Sequence, residues 1–405
     1  EATVLNVWVG RGRDWAQVMK KLIEQDFTPD TGIRVNLNTF PAGDTQLLLL
    51  SAASGGTPDA ALGLPANLPV EYALRGALAD LTEFPGYAEV IERFRAGTLI
   101  PYQWDGGAYG LPETQDFNML FYRQDILDEL GLQVPKTWED VYAMLPKLQR
   151  KGMNFGYPFN ASTGQNVDIG GFTTLLFQNG GDYYADNGRT SALASPEAFE
   201  AFNEWTRLYS SYRIPQEIDF FNRFRIGTIP IGISNYGTYV LLSTAAPELK
   251  GLWSIAVMPG TKRSGGAIDR TAGGGSDSAV IFAQSPNKEA AWKFLQWWTS
   301  TDVQVQYGRE IEAILGSAAR WNTANVQAME KLPWPKDHLN AILKQWESFR
   351  EVPVVPGGYY SNRYIVNAWN ETVLQGKNPR EALEDAVKEI NRELAKKREE
   401  FGLAQ

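Results

Sequence analysis

The chain of 405 residues contains no cysteine, which excludes disulfides, thiolate metal sites and cysteine nucleophiles. It contains one histidine, His338, in "LPWPKDHLNAIL", where the pattern suggests the first turn of a surface helix. A catalytic imidazole needs an orienting carboxylate and a partner, so a structural role is expected. Histidine zinc sites and histidine-dependent triads are set aside with it. No apolar run approaches the roughly 20 residues that a membrane helix needs. Positive charge is in deficit, 38 Lys and Arg against 47 Asp and Glu for a net −9, which disfavours a general nucleic-acid binder. Nothing matches GxGxxG or a P-loop; the glycine-rich "KRSGGAIDRTAGGGSDS" (262–278) has no P-loop lysine after it, so nucleotide binding has no support. What survives these absences is carboxylate-only chemistry, glycoside hydrolysis included.

What is present is an α/β pattern on a chain long enough for two domains. "TVLNVWV" reads as a strand, and "DWAQVMKKLIEQDF" as a helix with Asp14 as its N-cap. "IRVNLNTF" alternates Ile33, Val35 and Leu37 as a half-buried strand. A second helix through "DTQLLLLSAAS" ends at Gly55-Gly56, and "PDAALGL" is the next strand. This succession predicts parallel βαβ units with right-handed crossovers. The pattern restarts after Gly110: "NMLFYRQDIL" is a strand entering a helix, and "PKTWEDVYAML" opens a helix with Thr137 as N-cap and Asp140 at N3. Pro146 is expected to kink that helix. "GTIPIGISN", "LWSIAVMP" and "GGGSDSAVIFA" read as strands, and "NKEAAWKFLQWWTS" as an apolar helix whose Trp292, Trp297 and Trp298 are structural. The last helix is signalled by Asn378 as cap, Pro379 at N1 and Glu381 at N3, with Ala382, Leu383, Ala386, Val387, Ile390 and Leu394 as its buried stripe.

Several segments, in order, resemble the extracellular solute-binding proteins of family 1, the maltose-binding-protein-like receptors of ATP-binding-cassette importers. They are "LNVWVG", "FTPDTGIRVNL", "GGTPDAALG" with "RGALADLTEF", and "GGAYGLPETQDFNMLFYRQDILDELGLQVPKTWEDV". "NRFRIGTIPIGISN", "AQSPNKEAAWKFLQWWTS" and "VNAWNETVLQGKNPREALEDAVKEINREL" complete the set. Tyr122-Arg123-Gln124 departs from the family's usual Tyr-Asn-Lys. The resemblance implies a two-lobed, type II periplasmic-binding-protein-like α/β fold, each lobe a mixed βαβ sheet flanked by helices. Three hinge segments would join the lobes, which would close on a solute held in the cleft. Residues 1–113 with 265–315 would form one lobe, and 114–264 with 316–405 the other.

Ligands of α/β sheets collect at the carboxyl ends of strands, so the loops there hold the candidate site. Arg11, Arg13 and Asp14 follow the first strand; the resemblance makes them charged hydrogen-bonders to a sugar, and a solvated turn is the alternative. Asn67 follows "PDAALGL", and Asn235, Tyr236 and Tyr239 follow "GIS", where the resemblance implies that Tyr236 stacks on the solute. Ser276 and Asp277 would line the floor. In "PGGYYSNRY", Tyr359, Tyr360 and Arg363 are further candidates, again by resemblance for the stacking aromatic. Glu113 and Asp116, in "LPETQDF", are either sugar-binding acceptors or the carboxylates of a glycosidase.

The resemblance therefore implies a non-catalytic receptor for a carbohydrate that delivers it to permease subunits of an ATP-binding-cassette importer, and the number of loop aromatics points to an oligosaccharide over a monosaccharide. No cofactor, no metal and no nucleic-acid partner are expected, and the protein is expected to be a monomer outside the cytoplasm, periplasmic or lipid-anchored at the outer face of the membrane. The sequence opens at Glu1 without a charged n-region or apolar h-region, and any lipid-modified cysteine is expected upstream of it. The alternatives are a carbohydrate-active enzyme using Glu113 and a second carboxylate, or a binder of a polyamine, an anionic sugar or, through the paired tyrosines, ferric iron.

Overall fold

The computed structural model describes residues 2–40, 58–157, 159, 169–216 and 218–404. Its strands are, in chain order, β1 (Val4–Val9), β2 (Arg34–Thr39), β3 (Ala60–Pro65), β4 (Leu111–Pro112), β5 (Met119–Arg123), β6 (Phe155–Gly156), β7 (Ile231–Ser234), β8 (Trp253–Ala256) and β9 (Asp277–Ile281), leaving aside three short two-stranded ribbons. The helices used below are α1 (Arg13–Leu22), α2 (Trp138–Arg150), α3 (Pro196–Ser210), α4 (Tyr236–Ala245), α5 (Lys288–Trp298), α6 (Thr301–Leu315), α7 (Lys336–Trp346), α8 (Ser361–Trp369) and α9 (Pro379–Glu400). The chain divides into two compact units, Glu1–Asp116 with Gly275–Trp334, and Phe117–Gly274 with Pro335–Gln405.

Those divisions differ from 113/114, 264/265 and 315/316, and hydrogen bonds give the reason. Asp116 N–H donates to the Gly275 carbonyl at 3.0 Å, Ala324 N–H to that of Glu113 at 3.0 Å and Trp321 Nε1 to Gln304 Oε1 at 2.8 Å, with Trp334 Nε1 in turn donating to the Trp321 carbonyl at 3.1 Å. These ties keep the extra residues in the first unit. In the second, Asn118 N–H donates to the Gly273 carbonyl at 3.1 Å and Ala272 N–H to that of Ser348 at 3.1 Å.

The first unit is built on a five-stranded sheet of order β2-β1-β3-β9-β4. β1 pairs in parallel with β2 and β3, and β9 runs antiparallel to β3 and β4. Leu5, Val7 and Val9 alternate into the core, and Ala60 to Leu64 are buried throughout, the pattern of a strand covered on both faces. The helix expected through "DTQLLLLSAAS" lies outside the described residues. α1 starts at Arg13 with Gly12 as its N-cap, so Asp14 lies in the first turn and caps nothing; a carboxylate there still suits the helix dipole. The helical path runs on through Ile23–Phe27 and Thr28–Thr31 and stops at Gly32, which is left-handed at φ 74°.

The second unit carries a four-stranded sheet of order β8-β5-β7-β6. β5 is antiparallel to β7 and β8, and β6 lies parallel to β7. β6 and β7 approach at two glycines, and a Cβ on Gly232 would lie 2.4 Å from the Gly156 carbonyl oxygen. α2 opens with the full capping box, Thr137 and Asp140 each bonding the other's backbone, and continues past Pro146 to Arg150. α9 is capped by Asn378 and buries Ala382, Leu383, Ala386, Val387, Ile390 and Leu394. His338, in the first turn of α7, is half-buried: its Nδ1 shares a hydrogen bond of 2.7 Å with the Tyr239 hydroxyl, and its ring stacks on Trp253 at 5.2 Å. Its role is packing at the margin of a core. Among the described residues no helix is long and apolar enough to cross a membrane.

Candidate functional site

In the first unit, β1, β3 and β4 end at the same edge of the sheet from which antiparallel β9 starts, with Asp277 opposite Pro65 and Ser278 opposite Pro112. The loops at this edge bring Arg11, Asn67, Glu113, Asp116, Ser276 and Asp277 to one side of the unit. Arg13 and Asp14 lie just beyond, exposed on the first turn of α1, and Asn67 is exposed on the turn after β3.

Glu113 is the centre of the arrangement and is buried. Its Oε2 accepts from Arg11 Nη1 at 2.8 Å and from Trp298 Nε1 at 2.7 Å, while Oε1 accepts from the Gly63 N–H at 2.7 Å. A carboxylate with three strong donors is fully engaged inside its own unit. Gly63 can present that N–H because it sits at φ 78° inside a strand, packed 3.2 Å from the Gly10 backbone as measured from a Cβ position. Trp298, expected to be core filling, is core filling and also orients Glu113. The sequence carried no signal for that second task beyond the polar edge of every indole.

Arg11 has a buried side chain and lies over the Trp321 ring at 5.4 Å. Burial works against its charge, but the carboxylates of Glu113 and Asp277 and the Glu113 hydrogen bond outweigh it and hold the guanidinium above its ordinary range. Its Nη2 stands 4.0 Å from Asp277 Oδ2 and makes no hydrogen bond among the described residues. Partial burial, with 46% of the side chain still exposed, raises the Asp277 carboxyl above its usual value; Arg11 opposes the rise and Glu113 adds to it. The Asp277 backbone is fixed by Thr114 Oγ1, which accepts its N–H at 3.0 Å, and by Glu113 N–H, which donates to its carbonyl at 2.8 Å. Ser276 shares a short hydrogen bond with the Tyr102 hydroxyl.

In the second unit, Asn235 caps α4, its side chain accepting from Thr238 N–H at 3.3 Å. Tyr236 is half-buried and meets Phe117 edge to face at 6.4 Å. Tyr239 is 1% exposed and belongs to the core, edge-on to Phe117 and Trp253 and bonded to His338. Contrary to the expectation from the sequence, it presents no surface to a solute: one helical turn from Tyr236, it points inward. Tyr359 and Tyr360 stand on a different element, the turn before α8, with their rings 4.0 Å apart. That turn is tied down by Tyr184, whose hydroxyl donates to the Gly358 carbonyl at 3.0 Å and meets Ser361 Oγ at 2.9 Å; burial pushes the Tyr184 phenol up to about 12. Arg363 is exposed on the first turn of α8. Among the described residues no group of three His, Cys, Asp or Glu is placed to hold a metal ion.

Two α/β units on mixed sheets, linked by three chain crossings, define a two-lobed binding protein of the periplasmic type. The chain belongs to the bacterial extracellular solute-binding proteins, whose family model matches residues 12–305. It is 24% identical over 299 residues to a putative binding protein of Brucella abortus, covering 71% of this chain and 69% of that one. It is 24% identical over 311 residues to the arabinooligosaccharide-binding protein of Halalkalibacterium halodurans, covering 73% and 66%. Its fold is similar to that of the sugar-binding protein MalE from Xanthomonas citri, with a TM-score of 0.81 at 22% identity over 100% of both chains. The maltose-bound MalE of Listeria monocytogenes gives 0.78 at 20% identity, covering 98% of this chain and 99% of that one.

Proposed function

We propose that this protein is a non-catalytic extracytoplasmic receptor that captures a carbohydrate, most simply an oligosaccharide, and delivers it to the permease of an ATP-binding-cassette importer. Capture would be accompanied by closure of the two units about the three chain crossings. Tyr236, Tyr359 and Tyr360 would offer ring faces to the sugar, and Asp277, Asp116 and Ser276 hydroxyl partners. The observation that carries the reading is the state of Glu113. The strongest candidate for a glycosidase acid is buried and saturated by Arg11, Trp298 and Gly63, which leaves the sheet edge equipped to hold a solute and not to protonate a leaving group. The relatives named for arabinooligosaccharide, maltotriose and lactose support the choice of sugars over other solutes. Thermal-shift screening tests it directly with arabinotriose, maltotriose and lactose against spermidine and ferric citrate. A stabilising shift with a neutral sugar is expected; a shift with spermidine or iron and none with any sugar would sink the reading.

A further inference from the structure

Arg11 and Glu113 form a buried ion pair, with Arg11 Nη2 left without a hydrogen bond among the described residues, 4.0 Å from Asp277. A buried guanidinium needs a counter-charge, and Glu113 supplies it at 2.8 Å from a side chain that is itself fully buried. Glu113 has no exposed surface to offer a solute, and Arg11, 9% exposed, has its charge already answered. Asp277 differs: 46% of its side chain is exposed, and it stands 4.0 Å from the guanidinium instead of in contact with it. The group that a solute meets at this edge is therefore a carboxylate. One cation and two carboxylates leave the trio at −1. Arg13, Asp14 and Asp116 on the same side bring the count to two cations and four carboxylates.

We infer that Asp277 is the specificity-determining residue of the first unit's sheet edge, accepting hydrogen bonds from a neutral, hydroxyl-bearing sugar and turning away a sugar that carries a carboxylate there. The inference rests on the carbohydrate reading above and deepens it. A hydroxyl donates to the Asp277 oxygens, whereas a uronate at the same point meets a like charge that Arg11, bound to Glu113, cannot answer. Arg11 and Glu113 are then positioning residues: they set where Asp277 sits and how negative the edge is.

The test uses the full chain and calorimetric titration with maltotriose, arabinotriose, lactose and galactotriose, each beside the acid made by oxidising its primary alcohols to carboxylates. The wild type is expected to bind its preferred neutral sugar at least about tenfold more tightly than the matched acid. Asp277→Asn should narrow that ratio several-fold by improving affinity for the acid, with Asp277→Ser as a second variant and melting temperature as the check on folding. An acid bound as tightly as its neutral parent, or variants that weaken both in the same proportion, would overturn the inference and leave the carbohydrate reading standing. If no sugar of either kind binds, the carbohydrate reading falls and takes the inference with it.

Discussion

Residues that look alike in a sequence can have opposite duties, and Tyr236 and Tyr239 show it. Both follow "GIS" and both were candidates, but three residues along a helix is nearly one turn, and only Tyr236 stays at the surface while Tyr239 packs against Phe117, Trp253 and His338. Tyr236→Ala should weaken sugar binding by about 1–3 kcal/mol, the magnitude for bases on aromatic platforms, with little change in melting. Tyr239→Phe should leave binding alone and cost about 0.5–1.5 kcal/mol of stability through the lost bond to His338. If binding follows Tyr239 and not Tyr236 in calorimetry, the two are misassigned. Glu113 was legible as a candidate but not as a buried one, because burial depends on Gly63, Trp298 and Arg11 converging from distant segments. Glu113→Gln leaves a buried guanidinium without its counter-charge and should lower stability by about 3–5 kcal/mol in denaturant unfolding. Glu204 on α3 gives a pH signature. Burial raises its carboxyl above the ordinary 4.5, with Glu200 and Glu139 adding to that and the Tyr142 hydroxyl and Arg207 opposing it. A raised acid holds its proton more tightly when folded, so its contribution is full below 4.5 and is lost as the pH rises towards the folded value. Glu204→Gln should accordingly melt progressively higher relative to wild type as the pH climbs through that window. A gap that does not change with pH would show that Glu204 is not strained by its charge.

At the scale of elements, local chemistry was the most legible part of the chain. Asn378-Pro379 at the start of α9 and Thr137 with Asp140 at the start of α2 announce helices because the capping groups sit within four residues of one another. The buried stripe of α9 was equally plain from its 3.6-residue spacing. Where the signal was displaced, the expectation moved with it: Asp14 has the right chemistry for an N-cap, but the chain turns at Gly12, whose extended φ of −60° and ψ of 159° lead into the helix two residues earlier. The helix was legible as far as Phe27, but its last turn, Thr28–Thr31, was not, because Pro29 reads as a breaker, yet it is tolerated at the start of a fresh turn. Thr137→Ala should cost α2 about 1 kcal/mol, read as a lower melting temperature with sugar affinity unchanged. The close approach of β6 and β7 had no signature beyond two isolated glycines in strand patterns, since the contact lies between residues far apart in sequence.

At the scale of the whole molecule, three crossings of the chain, at 116/117, 274/275 and 334/335, divide it into two compact units. The crossings lie three, ten and nineteen residues beyond the divisions read from the sequence, because their exact place is fixed by hydrogen bonds such as Asp116 to Gly275 that no local pattern records. If the units close on a sugar, small-angle scattering at saturation should show a smaller radius of gyration than the free protein, and an unchanged radius would count against closure. The same picture bears on whether a captured sugar survives. A glycosidase needs two carboxylates flanking the bond, about 5–5.5 Å apart for retention or 6.5–9.5 Å for inversion, one of them ready to donate a proton. Glu113 has both oxygens taken by three donors inside its own unit, and Asp277, although raised by burial, sits beside the guanidinium that pulls it back. Neither is arranged as an acid held ready for a leaving-group oxygen. Prolonged incubation of the protein with maltotriose or arabinotriose should therefore return the sugar intact by chromatography. Release of shorter sugars that stops in Glu113→Gln, in a variant still folded enough to bind, would make this chain an enzyme and not a receptor.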